Sequence, residues 1–267
     1  MFEINSIIED DIGGINMSKD YAELRTKLQG ESEQRFDSRV EHFIKEIRVL
    51  SLPKTLKATR WLLEEMNAEN GFKRHDGRDY FIHPIAVAQT ALDFKIVGDL
   101  IRKDDTKNAD ILLATCLLHD IVEDVDYITE EMIKDEFGVD VARNVSNVSK
   151  RKGEDFSYYI DRFSSDPISA LVKILDRLNN VSTLAHSTTK HIKRQLEETR
   201  NVYIPLTKIF RRKYWEFGDF YYQAMSIMKS LLFEIERELE LHEYLDELVA
   251  ENSLLRMHLE LVVDTEE

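Results

Sequence analysis

Cys116-Leu117-Leu118-His119-Asp120-Ile121-Val122-Glu123-Asp124 is the stretch on which the reading of this chain turns. It closes an apolar run, residues 111–118, with the spacing of a buried helix. Four ionisable groups then follow within two turns. Residues four apart share a helix face, so a continuous helix would put Glu123 one turn from His119 and Asp124 one turn from Asp120. Carboxylates buried without a partner are too costly to keep, and a divalent cation is the most economical compensator.

Working outward, a second apolar run, residues 168–175, also ends in a carboxylate: Asp176-Arg177-Leu178-Asn179-Asn180. Upstream, a polar segment rich in Gly, Asp, Arg and Lys ends in His83-Pro84. Proline suits the first position of a helix, which places His83 at a helix entrance. His83, His119, Asp120 and Asp176 form a set of two imidazoles and two carboxylates. That set favours manganese or iron over a thiolate-rich zinc cage, and leaves positions open for water and a phosphate oxygen. Such an ion lowers the pKa of bound water and withdraws charge from phosphorus. Glu123 and Asp124 then stand where a general acid/base or water-orienting group belongs.

The remainder of the chain reads as helices. Stripes at helical spacing predict helices over 20–29, 32–50, 55–68, 85–94, 127–137 (Thr129 as N-cap, Gly138 as its end) and 139–149. A short aromatic segment at 157–163 follows, and then a basic amphipathic helix over 190–204 that stops near Pro205. No strand pattern longer than a few residues appears, and only 4 Pro and 9 Gly interrupt 267 residues. The fold class expected is all-α. From 214 onward the pattern is almost unbroken. Leu241, Leu245, Leu248, Asn252, Leu255, Leu259 and Val262 follow the four-three spacing of a coiled-coil seam, which fits self-association and intramolecular packing equally.

Hydrophobic residues make up 43% and charged residues 33%, a globular composition. The single cysteine, Cys116, lies in the apolar helix and reads as core, which suits a reducing cytoplasm. Residues 1–16 hold four acidic groups and no Lys or Arg, the reverse of a signal peptide. No run approaches the ~18 apolar residues of a membrane span. A soluble, cytoplasmic protein is therefore expected. The net charge of −15 argues against duplex nucleic acid. Residues 231–267 carry a net −10 and residues 186–213 a net +6, so the acidity sits in the tail and the middle can attract a small anion.

Three segments, in order and at matching spacing, carry a resemblance to the hydrolase domain of the RelA/SpoT family. They are Arg74-His75-Asp76-Gly77 through Tyr80-Phe81-Ile82-His83-Pro84, then Leu117 to Asp124, then Leu175 to Asn180. The stretches from Asp126-Tyr127 to Ser149-Lys150 and from Glu198-Thr199 to Tyr203-Ile204-Pro205-Leu206 resemble it too, so that residues 55–207 are covered. The His-Asp pair alone is similar only to the broad HD phosphohydrolase superfamily; Glu123-Asp124 at that offset narrows it.

The resemblance implies an HD-domain helical bundle with added N- and C-terminal helices: an extension at 1–50, the hydrolase domain at 51–213 and an acidic helical region at 214–267. It implies Mn2+ held by His83, His119, Asp120 and Asp176, with Glu123 and Asp124 catalytic. It places Arg74, His75, Asn180, Thr183 and Tyr203 against the substrate. The reaction implied is hydrolysis of the 3′-pyrophosphate of guanosine tetra- and pentaphosphate, (p)ppGpp, by a stand-alone small alarmone hydrolase. Two rivals remain: an HD phosphohydrolase for a related nucleotide, such as an adenine alarmone or NADPH, and a catalytically weak partner-binding protein. His75 stands where the family carries a second basic residue, and Asp79 replaces the usual proline before Tyr80.

Overall fold

The helix that leads into His119 is buried over most of its length. In the computed structural model, which describes residues 38–73, 79–184 and 187–264 (side chains from Val40 to Glu251, Asp246 excepted), this helix spans Thr106–Leu118. Every residue from Ala109 to Leu118 is buried. A helix that is apolar all round belongs in a core, and here its neighbours supply one. Before it come α1 (Ser38–Val49), α2 (Pro53–Glu65), α3 (Ile82–Asp93) and α4 (Ile96–Arg102), which makes Thr106–Leu118 α5. α2, α3 and α4 pack on α5 from the N-terminal side of the sequence. Beyond it run α6 (Ile121–Asp124), α7 (Glu130–Phe137), α8 (Val139–Val148), α9 (Phe156–Ser164) and α10 (Pro167–Ser182), with α8 also on α5. Each large aliphatic side chain buried here contributes roughly 1.5–3 kcal/mol.

The described residues contain no strand, only one antiparallel bridge between Lys73 and Asp79. The all-α expectation holds. The expected stripe of α1 is buried at Val40, Phe43, Ile44 and Ile47. Thr129 caps α7 by accepting from the Met132 N–H, and Gly138, at φ 87°, ends it in a conformation that glycine adopts without strain. The helix expected over 20–29 lies outside the described residues.

One cap is supplied across the fold. α2 begins after Leu52, which has no side chain able to cap it. Asp110, buried on α5, accepts from the Lys54 N–H (3.0 Å), the Thr55 N–H (2.8 Å) and the Thr55 hydroxyl (2.7 Å). Asp110→Ala leaves these donors buried and unmet. It should lower stability by about 2–3 kcal/mol in chemical denaturation, with no change in the slope of the transition.

The chain divides into two compact units, Met1–Lys173 and Ile174–Glu267, the division falling within α10. In the second unit follow α11 (Thr189–Glu198), a π turn (Thr199–Tyr203), α12 (Ile204–Lys213), a 3-10 turn (Trp215–Phe217) and α13 (Gly218–Asp264). The helix expected to stop near Pro205 instead continues. Proline has no N–H, and its ring collides with the carbonyl four residues back in an α-helix. The chain widens into the π turn just ahead of it, where the Ile204 N–H reaches the Thr199 carbonyl.

The core of this unit gathers Val181, Leu184, Leu196 and Leu232, with Ile192, Ile235 and Leu239 against them. Around that core, Lys193 pairs with Glu243 (2.7 Å) and Arg200 with Glu236. The acidic tail and the basic segment therefore answer one another within one unit. Farther along α13, Leu241, Tyr244, Leu245 and Val249 are exposed. No helix of the described residues is long and apolar enough to cross a membrane.

Candidate metal centre

His119 follows the last residue of α5, and its ring is wholly buried. Its Nδ1–H donates to the Cys116 carbonyl (2.8 Å), since a carbonyl can only accept. That bond fixes the tautomer of the neutral ring and leaves the Nε2 lone pair pointing at Asp120 Oδ2, 3.1 Å away. A lone pair facing a carboxylate is repulsive unless a proton or a metal cation lies between them. His83, in the first turn of α3, brings its Nε2 to 3.8 Å from the same oxygen, with the two imidazole rings 5.3 Å apart. One ligand atom from each of His83, His119 and Asp120 lies within 4.8 Å of the others. Two imidazoles and a carboxylate converging in this way fit a divalent ion by donor chemistry.

α3 starts two residues earlier than the proline suggested, at Ile82. Pro84 is still tolerated, because the first four N–H groups of a helix have no partner within it. His83 is consequently held in a formed turn.

A second correction concerns the central stretch. The continuous helix expected there is broken: α5 ends at Leu118 and a new turn opens at Asp120, whose carbonyl accepts from both the Glu123 and Asp124 N–H groups. Buried Ile121 anchors that turn. Glu123 is consequently carried toward the Lys150 N–H, which donates to its Oε1 at 2.5 Å. Both Glu123 and Asp124 reach solvent, yet lose part of their hydration, and this desolvation is the main cause that pushes both upward. For Asp124, the Asp120 charge adds to it and the carboxyl titrates at about 6, His119, His83 and Tyr80 notwithstanding.

Tyr80 is the residue the sequence reading passed over. Its hydroxyl donates to Asp120 Oδ2 at 2.6 Å, orienting the carboxylate from outside the ligand set. The signal available was only a tyrosine three positions before His83. Outer partners of this kind typically tune affinity or activity 10–100-fold. Tyr80→Phe should accordingly weaken divalent-ion binding by about tenfold, as read by calorimetric titration.

The other expected site residues fall as follows. Arg74 and His75 lie outside the described residues. In the second unit, Asn180 donates from Nδ2 to Asp176 Oδ1 (2.7 Å), and the Thr183 hydroxyl donates to the Asn179 carbonyl (3.0 Å). Tyr203 is buried with the Arg177 guanidinium 3.9 Å over its ring, and Arg177 also pairs with Glu198 (3.2 Å).

A family model for the HD domain matches residues 80–198. Among curated proteins, the chain is 34% identical over 160 residues to a putative chloroplastic GTP diphosphokinase of Oryza sativa subsp. japonica, covering 53% of this chain and 17% of that protein. It is 31% identical over 151 residues to the guanosine-3′,5′-bis(diphosphate) 3′-pyrophosphohydrolase of Haemophilus influenzae, covering 52% of this chain and 20% of that one. The protein of the same name in Aquifex aeolicus is 33% identical over 142 residues, covering 50% and 18%. The chain thus spans no more than about a fifth of the length of these relatives. An HD domain implies a divalent metal, and the His83–His119–Asp120 cluster lies within the matched residues. Residues 80–198 thus match the HD domain, and about half of the chain is similar to proteins named guanosine-3′,5′-bis(diphosphate) 3′-pyrophosphohydrolase.

Proposed function

We propose that this chain removes the 3′-pyrophosphate of guanosine tetra- or pentaphosphate, water adding across the ester bond to give GDP or GTP and pyrophosphate, with Mn2+ as the ion. The observation that carries the reading is the convergence of His83, His119 and Asp120 inside the residues that match the HD domain, in a chain similar over about half its length to proteins named for this reaction. The resemblance adds Asp176 to the ligand set, and Asn180 steadies its carboxylate.

When bound, the ion supplies Lewis acidity toward a phosphate oxygen and acidifies water. The chain's own residues do the rest. Tyr80 orients Asp120 through its hydroxyl, and the Cys116 carbonyl holds the His119 tautomer. Asp124, with its raised pKa, can exchange a proton near neutrality, and Glu123, held by the Lys150 amide, orients the attacking water. Arg74 would stack its planar cation on the base, with His75 beside it and Thr183 and Tyr203 toward the nucleoside.

The test is turnover of a nucleotide panel by the full chain, metal-free and then with Mn2+ added. Guanosine tetraphosphate should release pyrophosphate only when metal is present. Preference for an adenine alarmone, or orthophosphate release from NADPH, would keep the metal chemistry but replace the substrate. No turnover of any member would remove the enzymatic reading and favour a partner-binding protein.

A further inference from the structure

The turn that delivers the Lys150 amide to Glu123 is itself held from α9. The Arg162 guanidinium donates to the Ser146 carbonyl, and its Nη2 to the Ser149 carbonyl at 2.9 Å. It also forms a two-pronged pair with Glu154, at 3.1 Å and 2.5 Å. Glu154 in turn accepts from the Arg151 N–H (3.1 Å), closing the turn on itself. One helical turn earlier on α9, the Tyr159 hydroxyl donates to the Val148 carbonyl (2.7 Å). The carbonyls of 146 and 148 belong to the last turn of α8, where a helix leaves acceptors unmet and favours a cation.

The held segment has two contacts with the metal centre. Ser149 Oγ donates to the His119 carbonyl (3.2 Å), and the Lys150 N–H donates to Glu123 (2.5 Å). We propose that Arg162 is a positioning residue for the hydrolysis: its planar fork fixes the 146–154 segment so that the Lys150 amide orients Glu123. This rests on the reading of Glu123 as a water-orienting group. Lysine, a point charge on a flexible stem, cannot span two carbonyls and a carboxylate together.

A residue that only caps α8 would show in stability alone. The experiment therefore compares wild type with Arg162→Gln and Arg162→Lys in the full chain, reading Lys150 amide exchange by NMR and steady-state kinetics with Mn2+. Both variants should exchange the Lys150 amide about tenfold faster, while α5 amides stay protected and Mn2+ affinity holds within about twofold. Turnover number should fall about tenfold with KM unchanged. Unaltered Lys150 exchange, or unaltered turnover number in an active enzyme, overturns the proposal. Should Arg162→Gln fail to fold, Arg162→Lys decides by the same readings. If wild type hydrolyses no nucleotide, the functional reading fails by itself, and the exchange measurement still decides whether Arg162 sets the Lys150 amide.

Discussion

His119→Ala is expected to abolish divalent-ion binding and to lower kcat/KM for the nucleotide by about a thousandfold or more. The ring is fully buried and its tautomer is fixed by the Cys116 carbonyl, so its removal takes one of the three converging ligand atoms out of the interior. Losing the ion forfeits several kcal/mol of charge stabilisation on phosphorus, and each ~1.4 kcal/mol is a factor of ten in rate. A reading independent of catalysis is thermal stability. An ion that binds only the folded chain stabilises it by about 2.7 kcal/mol at a hundred times its Kd. Mn2+ should therefore raise the Tm of wild type and leave that of His119→Ala where it was. An equal rise in both would place the ion elsewhere and remove the proposed centre.

Asp124→Asn should lower kcat about 100-fold or more while leaving Mn2+ affinity nearly intact, because it takes away the proposed proton-exchanging group and no member of the His83–His119–Asp120 cluster. The pH dependence tests its role from another side. In the metal-free chain, burial first and the Asp120 charge second raise this carboxyl from the usual 3.8 to about 6. The folded state then holds the proton more tightly than the unfolded chain. Its contribution to stability is present below about pH 4 and is lost as pH rises through 6, so wild type should weaken over that window relative to Asp124→Asn. A bound cation favours the ionised carboxylate and reverses the effect. Mn2+ binding near pH 6 should consequently release a proton, measurable by titration calorimetry in buffers of different ionisation enthalpy. Identical apparent enthalpies in all buffers would contradict the assignment.

Together these measurements separate the ligand set from the groups that work beside it. The distinction matters because three carboxylates and one imidazole crowd residues 119–124, and composition alone treats them alike. The helix break at His119–Asp120 is what sorts them. It keeps His119 and Asp120 with His83 and sends Glu123 to the turn after α8.

The sequence alone determined the helical architecture and singled out the groups of the candidate metal centre. The apolar run into His119 had to be buried because water rejects it, and the alternation of Thr129 and Gly138 around α7 had to start and stop a helix because backbone groups there need partners. These are local signals, read within one or two turns. The tertiary structure alone decided the rest: that Tyr80 reaches Asp120 across 40 positions, that Asp110 caps α2 across 55, that Lys150 meets Glu123 across 27, and that Pro205 is absorbed by a π turn. Such contacts join residues whose separation along the chain carries no periodic trace. They exist because packed helices bring unmet donors and acceptors within reach, and a buried polar group takes whichever partner the packing presents.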